Sequence, residues 1–248
     1  MVKLKTADDI NRIRKTGRIV AECHQELSRR IKPGISTLAI DEFVERYLEE
    51  RGASQVIKGY KGFPYATCAS VNDVVAHGFP SDEPLREGDI VTIDIVAKYD
   101  GWMADSAWTY AVGSVSEEAE RLIKVTKECL YLGIRHAQAG KRIGDAMHEV
   151  QSHAERNGYS VVRDLVGHGI GRSLHEDPKF PHVGKPGRGF TLKEGMVITI
   201  EPMINVGSHE LFLEMDGWTV RTLDGRLSAQ YEHTIAITKE GPVILTEV

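Results

Sequence analysis

The chain has 248 residues, 41% of them hydrophobic and 27% charged, with a formal net charge of −5 at pH 7; it can bury a substantial core as one large domain or two small ones, and its charge argues against a surface built for strong nucleic-acid binding, while leaving room for local basic patches. No apolar run is long enough to span a membrane, and residues 1–9 carry no apolar segment like that of a signal peptide. Cys23, Cys68 and Cys129 are scattered and lack CxxC spacing, which argues against a disulfide framework or a cysteine metal site and fits a reducing cytoplasm.

Thr6 is placed to cap a helix whose first turn carries Asp8 and Asp9. Ile10, Ile13, Val20, Leu27 and Ile31 continue it as an apolar stripe as far as Pro33-Gly34. Ser36 caps a second predicted helix with Leu38, Phe43, Val44, Tyr47 and Leu48 on its apolar side and Gly52 at its end. Residues 90–96 fit a strand with Ile90, Thr92, Asp94 and Val96 on one face. Asp100-Gly101 is a turn signal, and Asp105 opens the next strand-like run, Asp105-Ser106-Ala107-Trp108-Thr109-Tyr110. Ser116 then precedes an acidic first turn and a helical pattern through Leu122, Val125, Leu130 and Ile134, and residues 144–157 read as a fourth helix. An apolar run through Met196-Val197-Ile198-Thr199-Ile200 ends in Glu201, Asp216-Gly217 marks a further hairpin, and Glu232 opens the last run.

The plan of helix, helix and strands thus occurs twice. Residues 87–94 recur, lightly edited, as 194–201, so that Asp94 and Glu201 stand 107 residues apart; Gly140 follows Gly34, and Gly158 follows Gly52, by 106. Chance accounts for two shared glycines but hardly for those plus an eight-residue match at nearly the same offset. We read an internal duplication, with halves of roughly 1–112 and 113–248 in a single domain, each half α+β. The two half-sheets are expected side by side, with helices on the outer face and a cleft where the halves meet.

Each copy ends in a carboxylate and is followed by a second acid at the start of another strand, Asp105 in one half and Glu232 in the other. If Asp100-Gly101 centres the hairpin, Asp94 pairs with Ala107, and Asp105 lies two residues away on the same face; shifting the centre by one pair puts Asp94 opposite Asp105. For any one acid a solvated strand end is the commoner outcome, but apolar and aromatic flanks on every side weaken that reading here. Four packed carboxylates repel unless protons or cations intervene. Two divalent cations balance four negative charges, so a two-metal centre is the leading expectation.

Among ten histidines, three stand out: His168 in Gly167-His168-Gly169-Ile170-Gly171, His175 in His175-Glu176-Asp177-Pro178, and His77 in Val75-Ala76-His77-Gly78-Phe79. Each alone is more commonly a packed or surface histidine. The glycine run is not a dinucleotide-binding fingerprint, because Pro178 soon blocks the helix that motif requires. It is not HExxH either.

Taken together, Asn72-Asp73-Val74-Val75-Ala76-His77-Gly78, Gly167-His168-Gly169-Ile170-Gly171-Arg172, Glu201-Pro202-Met203 and Tyr231-Glu232-His233-Thr234 closely resemble the type I methionine aminopeptidases, essentially end to end. The resemblance implies the pita-bread fold, two related halves forming a curved, mainly antiparallel sheet around a dinuclear metal site. It implies Asp94, Asp105, His168, Glu201 and Glu232 as metal ligands. An oxygen-rich set with one imidazole suits Mn, Fe, Co or Zn. Two cations would activate a water for attack on the first peptide carbonyl. His175 would donate to the developing oxyanion, Glu201 would shuttle the proton, and His77 would hydrogen-bond the substrate near the scissile amide. Tyr60, Phe63, Cys68, Leu174 and Trp218 would surround a methionine-sized pocket. Leu174, Val96 and Ala104 depart from the family pattern by size, Leu174 opening the pocket and the other two adding bulk near the ligands. The expected activity is removal of N-terminal methionine from peptides and nascent proteins with a small second residue, by a cytoplasmic monomer that has the ribosome as a possible docking partner. The alternatives are a proline-directed aminopeptidase or dipeptidase of the same fold, and a non-catalytic module that keeps the fold. The first usually carries a large N-terminal domain, and the second typically loses ligands.

Overall fold

The computed structural model describes residues 2–248; Met1, the first residue of the stretch read for a signal segment, lies outside the described residues. Helix α1 spans Ala7–Arg30 and begins in a capping box, with the Thr6 hydroxyl accepting from the Asp9 N–H and the Asp9 carboxylate accepting from the Thr6 N–H. Helix α2 (Thr37–Glu49) is capped by Ser36, and α3 (Glu117–His136) by Ser116. Helix α4 runs Ile143–Arg156, within a residue of the span expected from sequence. No helix among the described residues is long and apolar enough to cross a membrane.

In the first half the strands are β1 (Ser54–Gln55), β2 (Cys68–Val71), β3 (Val74–Ala76), β4 (Ile90–Tyr99) and β5 (Trp102–Ala111). The second half has β6 (Ser160–Val161), β7 (Val166–Gly169), β8 (Glu176–Pro181), β9 (Val197–Ile200) and β10 (Met203–Asn205). These are followed by β11 (Leu211–Leu213), β12 (Val220–Thr222), β13 (Ser228–Gln230), β14 (His233–Thr238) and β15 (Gly241–Ile244). Asp100-Gly101 centres the β4–β5 hairpin, so Asp94 pairs with Ala107 and Asp105 with Val96. Of the two registers open from the sequence, this is the one centred on the turn. The β11–β12 hairpin closes across Asp216-Gly217, as its turn signal indicated.

The helices of each half cover that half's strands. Val20, Leu27, Val44 and Leu48 bury against Val91, Ile93 and Ile95 of β4. Leu122, Leu130, Met147 and Val150 bury against Ile198 and Ile200 of β9 and Ile235 and Ile237 of β14. Strand alternation then turns Asp94 and Val96 away from the helices, towards the interior of the molecule.

The expected curved sheet is assembled, among the described residues, from four hydrogen-bonded pieces, ordered β1-β4-β2 with β5 on β4, β13-β10-β6, β11-β12-β3 and β15-β14-β9-β7-β8. All their pairings are antiparallel. Where the halves meet, threonine hydroxyls bridge the strands. The Glu232 N–H reaches the Ala107 carbonyl directly at 2.8 Å. On one side the Thr234 hydroxyl accepts from the Asp105 N–H at 3.0 Å and donates to the Asp105 carbonyl at 2.9 Å. On the other side Thr109 does the same for Gln230, at 3.0 and 2.8 Å. Every buried backbone group in these steps keeps a partner, and two of the residues so held are acids, Asp105 and Glu232.

Candidate metal centre and cavity

Asp94 sits in the middle of β4 and Asp105 early in β5; Glu201 follows β9 directly, Glu232 directly precedes β14, and His168 lies on β7. Because His233 pairs with Ile200, the strand ends bring Glu201 and Glu232 to the same end of one ladder. Ligand atoms of Asp105, His168 and Glu232 all lie within 4.8 Å of one another. Asp105, Glu201, Glu232 and His168 are buried.

The electrostatics of this cluster favour a cation. Burial pushes the carboxyls of Asp94, Asp105, Glu201 and Glu232 above the usual carboxylate range, Glu201 to about 8, and repulsion from neighbouring carboxylates adds to the rise at Asp105, Glu232 and Glu201. Asp94 Oδ1, Asp105 Oδ1 and Glu232 Oε1 are buried with no hydrogen-bond partner, which is costly for a polar atom. His168 Nδ1 is 3.0 Å from the Gly169 carbonyl. A carbonyl only accepts, so Nδ1 carries the proton and Nε2 presents a lone pair. That Nε2 lies 3.6 Å from Glu201 Oε1 and 3.9 Å from Asp105 Oδ2. Burial depresses the imidazole to about 4, so these contacts are not ion pairs; they set lone pairs facing one another. Unpartnered carboxylate oxygens and a lone-pair nitrogen converging in a buried space fit a hard or borderline divalent cation.

The cluster forms part of the wall of a cavity of about 200 Å³ that also meets Tyr60, Phe63, Cys68, His77, Val96, Leu174, His175 and Trp218. Every candidate site residue read from the sequence therefore borders one space. Phe63 is buried and meets Trp218 and Phe79 edge-on, with ring centroids 5.2 Å apart in both cases. His175 lies across His168 at 4.5 Å between rings, its Nδ1 3.0 Å from the Tyr60 hydroxyl, and burial depresses it to about 4. His77 is held at φ 57, in the left-handed region that glycine prefers, with its ring edge-on to Trp218. Cys68 pairs with Asp94 across β2 and β4, which puts the thiol beside the acids. Val96 and Ala104, two of the residues that depart in size, are buried in the same apolar cluster as Leu174.

Sequence reasoning missed the residues that support the ligands. His182 Nε2 accepts from the Glu201 N–H at 2.9 Å, and nothing marked it among the other histidines. Thr199 donates to Glu201 Oε1 at 2.7 Å and accepts from the His168 N–H at 3.0 Å. A signal for Thr199 existed, since Thr92-Ile93-Asp94 and Thr199-Ile200-Glu201 repeat in the two halves.

A buried acid cluster with one imidazole, walled by aromatic side chains, defines a metal-dependent hydrolase with an apolar binding pocket. Residues 11–239 match the model of metallopeptidase family M24, and the chain belongs to that family. It is 48% identical, over all of both chains, to a Bacillus subtilis (strain 168) protein named Methionine aminopeptidase 1. A crystal structure of methionine aminopeptidase from Rickettsia prowazekii superimposes with a TM-score of 0.98 at 43% identity, covering 99% of this chain and 100% of that one. The prolidase from Pyrococcus furiosus shares the fold alone, with a TM-score of 0.79 at 24% identity over 99% of this chain and 65% of that one.

Proposed function

We propose that this metallopeptidase removes N-terminal methionine from peptides and nascent proteins with a small second residue, acting as a single catalytic domain of two duplicated halves. The observation that carries the reading is the convergence of five ligand-type side chains at one wall of an apolar cavity. Asp94, Asp105, His168, Glu201 and Glu232 would hold two divalent ions, since four carboxylates carry the charge that two such ions neutralise; Mn, Fe, Co and Zn all suit the donor set. Bound there, divalent metal supplies Lewis-acid polarisation and a nucleophilic water at neutral pH.

The chain's own groups supply the rest. Tyr60, Phe63, Cys68, Leu174 and Trp218 take the methionine side chain and exclude water from it. Glu201 would accept the proton of the attacking water and return it to the departing amine. His175, neutral and tethered to Tyr60, donates to the carbonyl oxygen as negative charge develops. His77 hydrogen-bonds the peptide near the scissile amide. A free α-amine would bind at the metal held by Asp94, which would restrict cleavage to the first residue. A cytoplasmic monomer is part of the same reading, and three scattered cysteines without CxxC spacing fit a reducing compartment. The ribosome is the natural place to meet nascent N-termini.

The test is a panel of Met-Xaa and Xaa-Pro peptides assayed with measured metal content. Release of methionine from Met-Ala-Ser is expected. Cleavage of proline-linked residues with Met-Ala-Ser spared would overturn the reading in favour of a proline-directed enzyme.

A further inference from the structure

The segment before α1 is tied to the second half of the chain through Lys5. Lys5 is buried; its backbone N–H donates to the Gly195 carbonyl at 2.7 Å, and its Nζ lies 2.5 Å from Glu176 Oε2. The other carboxylate oxygen, Glu176 Oε1, accepts from the N–H groups of Arg172 at 3.0 Å and Ser173 at 3.3 Å. One oxygen is thus committed to a cation and the other to the loop 171–175. Gly171 leaves space for this arrangement. A Cβ there would lie 2.7 Å from Lys5 Cε and 3.2 Å from both Lys5 Nζ and Glu176 Oε1. The Gly171 carbonyl in turn accepts from the Met103 N–H of β5 at 2.8 Å, two residues before Asp105.

Leu174 and His175 are strung between Ser173 and Glu176, so one carboxylate fixes both ends of the span that carries them into the cavity wall. Lys5 and Glu176 are both about 5% exposed at the side chain. A buried ion pair is usually no more stabilising than a well-packed apolar pair of the same shape. What it adds is direction, because a charged carboxylate held by an ammonium keeps both its oxygens aimed. We propose that the Lys5–Glu176 ion pair is a positioning element for catalysis, holding Leu174 and His175 at the cavity through the loop 171–175. This rests on the role given to His175 above. The competing role is adhesion, in which the pair merely fastens the segment before α1 to the body of the protein.

The parent protein, Lys5→Met, Lys5→Arg and the double variant Lys5→Met/Glu176→Gln are loaded with the same metal and assayed on Met-Ala-Ser. The double variant removes both charges together, so it remains informative if Lys5→Met leaves an unpaired buried carboxylate and does not fold. Displacing a positioned group is expected to lower kcat by about ten- to a hundredfold in Lys5→Met and in the double variant and to raise KM as Leu174 shifts in the methionine pocket, with metal content close to that of the parent. Lys5→Arg should recover most of the loss. Folded variants with unchanged kcat and only a lower melting temperature would overturn the positioning role in favour of adhesion. A parent protein inactive on Met-Ala-Ser would overturn the functional reading, and this inference with it.

Discussion

His168 faces the acids through an unprotonated nitrogen because its other ring nitrogen is committed to the Gly169 carbonyl. Asp105 shows the same division of labour. Its backbone is held at both ends by the Thr234 hydroxyl, while its carboxylate is left for the cluster, one oxygen having no partner at all. Replacing that carboxylate by an amide keeps the shape and removes one negative charge of four. Asp105→Asn is expected to lose activity on Met-Ala-Ser to background and to retain less metal per protein, read by elemental analysis of the purified protein. Near-normal turnover with tightly bound metal would refute the ligand role. Asp94 and Asp105 were legible as neighbours because a strand's two-residue period and a short turn put them on one face in either register, and Glu201 and Glu232 because residues 194–201 repeat residues 87–94. His182 and the Lys5–Glu176 pair act across 19 and 171 residues of chain. Which side chains such distances bring together depends on tertiary packing, and no local pattern records it.

At the level of elements, α1 is fastened to β5 by a buried histidine. His24 stacks on Trp108 with ring centroids 5.0 Å apart, its Nδ1 lies 2.7 Å from the Tyr110 hydroxyl, and its Nε2 lies 3.0 Å from the Ser106 carbonyl. Burial depresses it from 6.5 to about 3. Above pH 6.5 it is neutral in both the folded and unfolded chain. As the pH falls from 6.5 towards 3 the unfolded chain takes up a proton that the folded one refuses, so stability is lost across that window, by a few kcal/mol when fully developed. Urea titrations at several pH values should show a steeper decline in the parent than in His24→Gln; equal slopes would refute the assignment. Helix starts were readable here from Thr6, Ser36 and Ser116, since a cap is a local chemical event. The division of the sheet into four pieces was not readable, because the hydroxyls of Thr109 and Thr234 enter the ladder only once both halves have formed.

For the molecule as a whole, the acids as proposed ligands would couple metal binding to folding. Asp94 and Asp105 belong to one half and His168, Glu201 and Glu232 to the other, and without cations their burial opposes the folded state. Divalent metal that binds only the folded chain is expected to stabilise it by about 2.7 kcal/mol at a free concentration a hundred times its Kd. Removing the metal with a chelator should therefore lower the melting temperature reversibly, as followed by circular dichroism. A melting temperature indifferent to chelation and re-addition would count against a buried site shared by the halves.

The two halves are joined by one surface crossover, at exposed Gly113 and Ser114. A protease nick there would sever the backbone and leave each fragment with half of the acids and its own helix pair. The molecule is in this sense a clasp with an exposed hinge pin. Once cut, it would stay shut through the hydroxyl bridges and the apolar side chains that both jaws bury in common, with ions between the acids tightening the grip.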